Sequence, residues 1–177
     1  ELTDSPRRLR GLHLYYHFYS STKQASIKAM EDIYAYMRGQ HPISLWMSDY
    51  LDRLHGLYQS SLARTVDGGW QIRGMDGLRT VRLDPQMGWP DLMRSQGVAG
   101  VRDLPQGRYV ALNSDRALLF LRPDRDSHPA LEEANLPLVD WRYLDDKRVS
   151  FSFAGQIDLT FSVRSAMILS TMPSPTL

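Results

Sequence analysis

The chain has 177 residues, 21 Lys+Arg against 20 Asp+Glu, a formal net charge of +1 and no Cys. The near balance of charge argues against a dedicated nucleic-acid binder, which needs a clustered basic face, and the lack of Cys excludes disulfides, thiolate zinc sites and a Cys nucleophile. No apolar run reaches the ~20 residues needed to span a bilayer, and a chain of this length buries roughly 70 % of its unfolded surface, enough for one real core.

The chain opens on Glu1-Leu2-Thr3-Asp4 without an initiator Met or a signal-peptide pattern, and reads as a piece of something longer. Gly11 to Tyr19 is almost wholly apolar and aromatic, the composition of a strand buried on both faces. Ser20-Ser21-Thr22 then offers a helix N-cap. Ala25, Ile27, Ala29, Met30, Ile33, Tyr34 and Met37 recur at helical spacing up to Arg38, and Gly39 and Pro42 supply the stop. Ile43 to Trp46 predicts a short strand, and Ser48 caps a second helix from Asp49 to about Gln59. One strand, one helix and a stub cannot cover a strand built for burial on both faces. The missing neighbours are expected from an upstream segment or a partner chain.

After Ser60 the period changes to two. Leu62 to Val66 and Trp70 to Arg73 flank the turn Asp67-Gly68-Gly69, a hairpin signal, and Met75-Asp76-Gly77 precedes a strand from Leu78 to Leu83. Pro85 to Pro105 reads as a long loop with a helical turn near Asp91. Further strands are expected at Arg108 to Asn113, Arg116 to Arg122, Val139 to Leu144, Arg148 to Phe153, Ile157 to Arg164 and Met167 to Thr171. The fold class is therefore mostly β. A β-sandwich or jelly-roll module (61–172) follows a connecting helix (47–60), preceded by the terminal βα elements of an incomplete α/β barrel (1–46), with a loose tail at 173–177.

His13 and His17 would share one face of a helix within metal-chelating reach. On a strand, four residues at ~3.3 Å each set them ~13 Å apart, too far for one ion. His17 stands near the C-terminal end of the expected strand, the edge from which catalytic side chains of βα folds project. Imidazole there can serve as acid or base near neutral pH, or it can be a buried His with one backbone partner. Among aromatics able to stack on a sugar ring are Trp70, Trp89, Tyr109 and Trp141. Trp89, between Gly88 and Pro90, is the one expected to be exposed, while core packing is the plain reading for all four. Arg73, Arg79, Arg82, Arg102 and Arg108 read as a solvated strand face. Asp124, Asp126, Asp145 and Asp146 lack calcium-loop spacing and read as turn chemistry, and His41, His55 and His128 as loop or surface residues.

Leu14-Tyr15-Tyr16-His17-Phe18-Tyr19-Ser20, with the helix carrying Lys23, Ser26, Ala29 and Met30, resembles the last motif of the polysaccharide deacetylase (NodB-like, carbohydrate esterase) family. The wider pattern includes Ser48-Asp49-Tyr50, Gly69 to Arg73, Leu78 to Leu83 and Gly107 to Val110. It is similar to the C-terminal region of the Pel exopolysaccharide deacetylase-hydrolases. The resemblance implies a (β/α) barrel whose Asp-His-His set holds a divalent metal, zinc, upstream of this chain and not bound by this chain alone. It implies that His17 is the catalytic acid and that Tyr15 helps to shape the acetyl pocket. The implied partners are the upstream deacetylase domain, the exopolysaccharide and a Pel secretion protein, and the implied location is periplasmic. Without the metal set, the chain alone is expected to be inactive. The alternative is a non-catalytic carbohydrate-binding or secretion-complex module, with Trp89 on its binding surface.

Overall fold

A computed structural model of the chain describes residues 11–40, 45–155 and 158–165. The chain divides into two compact units, Glu1–Leu45 and Trp46–Leu177.

In the first unit the apolar run does not form the expected strand. Residues 11–17 are irregular, and a single 3-10 turn, Phe18–Thr22, follows. A strand needs a neighbour to take its backbone N–H and C=O groups, and none of the described residues pairs with this segment. The expected Ser/Thr cap also behaves differently. Ser21 Oγ and Thr22 Oγ1 donate back to the carbonyls of Phe18 and Tyr19, both at 2.7 Å, which tightens the turn. Helix α1 (Gln24–Gly39) then starts after Lys23 without a side-chain cap. Its apolar positions keep helical spacing, yet no residue of it is buried. The expected strand at Ile43 to Trp46 lies partly outside the described residues, and Leu45 and Trp46 are irregular.

The second unit opens with helix α2 (Met47–Gln59) and continues as strands, interrupted by a 3-10 turn at Pro85–Met87. Strands β1 (Ser61–Arg64) and β2 (Trp70–Arg73) form the predicted hairpin. Thr65 Oγ1 locks its turn, accepting from the Gly69 N–H at 2.9 Å and donating to Asp67 Oδ1 at 2.5 Å. Next come β3 (Thr80–Leu83), β4 (Trp89–Pro90) and β5 (Val98–Leu104). The chain then runs through β6 (Gly107–Leu112), β7 (Ala117–Leu119), β8 (Leu121–Arg122) and β9 (Ala130–Ala134). The last are β10 (Leu138–Tyr143), β11 (Val149–Phe153) and β12 (Phe161–Arg164). They pair antiparallel in small sheets ordered β1-β2-β7, β3-β6-β5, β4-β8, β12-β9 and β10-β11. The protein is thus mostly β, and no closed barrel is present among the described residues. The expected strand at Met167 to Thr171 and the tail lie outside those residues.

The segment read as a loop, Pro85 to Pro105, contains the most deeply buried strand. In β5, Val98, Ala99 and Val101 are at most 4 % exposed. Val98 and Val101 join Ile72, Leu92, Val110, Leu112 and Leu119 in one core cluster, whereas Ala99 joins Leu131 and Trp141 in a second. Neighbouring residues on a strand point to opposite faces, so β5 separates the two clusters. A register shift between Val98 and Gly100 puts Val98 and Val101 on the same side despite their odd spacing. At Gly100 a Cβ would fall on the Leu131 backbone of β9, so only glycine permits this approach.

Candidate functional site

Among the described residues, side chains suited to recognition or chemistry gather in both units. In the first, His17 has extended backbone (φ −93°, ψ 150°), and its carbonyl accepts from Ser20 N–H at 2.9 Å, closing the turn. Extended backbone sends alternate side chains the same way, which brings Tyr15 to His17, and the 3-10 turn that follows returns Tyr19 to the imidazole. The Tyr15 ring meets the imidazole edge-on at 5.2 Å, and the Tyr19 ring stacks on it at 4.9 Å with a 9° interplanar angle. Tyr15 is 83 % exposed, Phe18 92 % and Tyr19 69 %. Two predicted site residues, Tyr15 and His17, therefore stand together on a bare aromatic strip. The expectation of a buried strand around them is corrected.

The third predicted residue, Trp89, belongs to the second unit. It lines a groove of about 540 Å³ with Pro85, Met87, Gly88, Leu121 and Arg122, formed where β4 pairs with β8. Trp89 is half-buried rather than exposed. The Arg108 guanidinium lies 3.5 Å from its ring centroid and that of Arg125 4.8 Å. A sugar would have to displace one of these cations to stack on the same ring face. Arg108, assigned from sequence to a solvated face, is only 5 % exposed. It donates to Asp103 Oδ1 and Pro85 O, each at 3.2 Å, and to the Gly88 carbonyl. Arg125 is held by Glu132 at 2.7 Å. Of the other aromatics, Trp141 is core, stacked on Phe151 at 5.4 Å, while Trp70 and Tyr109 are half-buried.

Asp126, whose carboxylate lies 3.8 Å from the Arg122 guanidinium of the groove, is 2 % exposed and collects donors from two loops. It accepts from the Leu92 N–H at 2.8 Å, the His128 N–H at 3.0 Å and the His128 Nδ1 at 2.5 Å. Burial pushes its carboxyl up, but these hydrogen bonds together outweigh burial and hold it below the usual carboxylate range. Nearby, Tyr143 Oη donates to Pro129 O at 2.8 Å, and burial, assisted by the Asp126 charge, pushes the phenol up to about 12. The node fastens loops, in agreement with the turn role expected of Asp126. Its second partner, Leu92, lies too far along the chain for sequence reasoning to find. Arg108 and Arg125 were missed for the same reason, since no local signal marks an arginine as the cover of a distant Trp.

Among the described residues no three His, Asp or Glu side chains converge as a metal site would require, so these residues do not fit a metal. The chemistry open to them is proton transfer at His17 and aromatic contact along Tyr15 to Tyr19. Comparison of the chain with protein families, curated proteins and solved structures gave no match.

Proposed function

We propose that the chain is the C-terminal part of a metal-dependent polysaccharide deacetylase acting on a partly N-acetylated hexosamine exopolysaccharide, the Pel biofilm matrix. The supporting observation is the bare aromatic strip around His17. Contiguous apolar surface of this kind marks a place where a partner docks. Here that partner is the upstream deacetylase domain of the same polypeptide, in the periplasm, against which the 11–19 run gains the neighbours a strand requires. The divalent metal, zinc in this reading, belongs to that upstream domain. His17 donates its proton to the departing amine nitrogen as the acetamide C–N bond breaks, and Tyr15 lines the acetyl pocket. The sheets of the second unit are read as a β-sandwich of jelly-roll type. The antiparallel pairing of its strands supports this, and β5, with a core cluster on each face, would need cover beyond the shared core of a sandwich.

The groove beside Trp89 favours a second reading, in which the β unit is a non-catalytic module that holds the polymer or a Pel secretion protein. The two separate by experiment. Acetate release from acetylated hexosamine polymer is measured for the full-length polypeptide and its His17→Ala variant, with circular dichroism as the folding check. A loss of ~100-fold or more with intact fold is expected of a general acid. An unchanged rate removes His17 from the chemistry, and a wild-type protein that releases no acetate leaves only the module reading.

A further inference from the structure

Helix α2 lies unusually close to the turn that leads into β3. A Cβ on Gly56 would fall on the carbonyl of Met75 and stand 3.1 Å from Leu78 Cβ. From the other side, a Cβ on Gly77 would stand 3.2 Å from Asp52 Cβ and 3.4 Å from Arg53 Cγ. The turn is closed by Leu78 N–H on Met75 O at 2.7 Å, and Arg79 follows it, its carbonyl accepting from Leu112 N–H at 2.8 Å. This packing brings the charges of Arg53 and Arg79 within range of each other. Burial lowers the Arg53 pKa most, Asp49 opposes that, and the charge of Arg79 lowers it further.

Both arginines are half-buried, and among the described residues neither has a carboxylate within 4.0 Å, Asp49 acting on Arg53 only from farther off. Arg53 Nε and Arg79 Nη1 are both buried without a hydrogen-bond partner. Arg102, Arg108, Arg125 and Arg148, by contrast, each pair with a carboxylate. A buried donor left unpaired is costly, and like charges add to that, so the arrangement is unfavourable as it stands. A guanidinium presents planar paired donors that match the oxygens of an oxyanion.

We propose that Arg53 and Arg79 form a binding site for a phosphate- or sulfate-sized oxyanion where α2 meets the turn before β3. Asp49 acts on Arg53, and Asp52 and Asp76 stand on the same helix and turn, so the two unpaired donors suit a single small anion rather than a polyanion. The site is independent of the deacetylase reading, and a de-acetylated, cationic polymer would be repelled by it.

The test is thermal unfolding of the whole 177-residue chain in phosphate, sulfate, acetate or NaCl at matched ionic strength. It is followed by Trp fluorescence, with titration calorimetry for the affinity. Phosphate or sulfate near 100 times its Kd is expected to raise Tm by about 5 to 10 °C over NaCl. Arg53→Gln and Arg79→Gln are expected to lose that rise while melting no lower than wild type in NaCl, because each relieves a repulsion. An equal rise in all three proteins means an adventitious ion only, and no rise beyond NaCl removes the site. A rise confined to acetate overturns the tetrahedral assignment. Variants melting well below wild type in NaCl make the arginines structural and overturn the proposal.

Discussion

Replacing Asp126 by Ala strands three donors at once, and the cost can be worked from their surroundings. Leu92 is 1 % exposed, so its N–H, 2.8 Å from the carboxylate, has no ready access to water once the acceptor is gone. That alone costs on the order of 1–3 kcal/mol, and the half-buried His128 N–H adds a smaller amount, for a total of about 3 kcal/mol. For a chain of this size the corresponding fall in Tm is about 6 to 12 °C. All four Trp lie in the second unit, so fluorescence-detected unfolding reads that unit alone. The pH dependence supplies an independent check. A carboxyl held low in the folded state contributes stability above its unfolded value of about 3.9 and loses it as pH falls through the folded value. The gap between wild type and Asp126→Ala is therefore full at pH 7 and narrows below about pH 4. A gap under about 1 kcal/mol at pH 7, or one that stays constant into strong acid, would refute this account of the node.

Gly100→Ala drives a methyl into the Leu131 backbone and is expected to cost about 3 kcal/mol or more in urea unfolding; a loss below about 1 kcal/mol would show that β5 and β9 can part freely. Tyr143→Phe removes the 2.8 Å bond to Pro129 O and should cost about 1 kcal/mol at neutral pH. Because the Tyr143 phenol is pushed up to about 12, wild-type stability falls as pH rises from the ordinary value of about 10 towards 12, and this variant should flatten that stretch of the profile. Limited proteolysis should cut first within 11–40, where α1 buries no residue, and leave a resistant product beginning near Trp46. Equal protection of both parts would mean that the first unit is stabilised without an upstream domain.

What the sequence made legible was local. The helical spacing from Ala25 to Met37 and the Asp67-Gly68-Gly69 turn each determine structure within a dozen residues, and α1 and the β1–β2 hairpin follow from them. Strand β5 escaped because burial on both faces removes the alternation that marks a strand, and Gly97 and Gly100 make the segment resemble a loop. Strand β9 escaped because Ala130-Leu131-Glu132-Glu133-Ala134 is made of good helix formers, overruled by pairing with β12. The Gly11–Tyr19 run failed in the opposite sense: its composition reports a need for cover, and composition cannot say what provides it. At the candidate site, the grouping of Tyr15 with His17 was legible from two-residue spacing. The covering of Trp89 by Arg108 and Arg125 was not, because it depends on chain segments brought together only by the fold.

The order in which the strands interleave bears on how the second unit comes to exist at all. Apart from the β1–β2, β5–β6 and β10–β11 hairpins, each sheet joins distant stretches: β2 waits for β7, β3 for β6, β4 for β8 and β9 for β12. Each such pairing requires closing a long loop before any contact rewards it, which places folding in the millisecond-to-second range of non-local β topologies rather than the microseconds of helical ones. A ribosome emitting this chain must therefore release β4 well before β8 exists to receive it, and β9 before β12. During that interval the nascent sheet edges are open to any neighbouring chain.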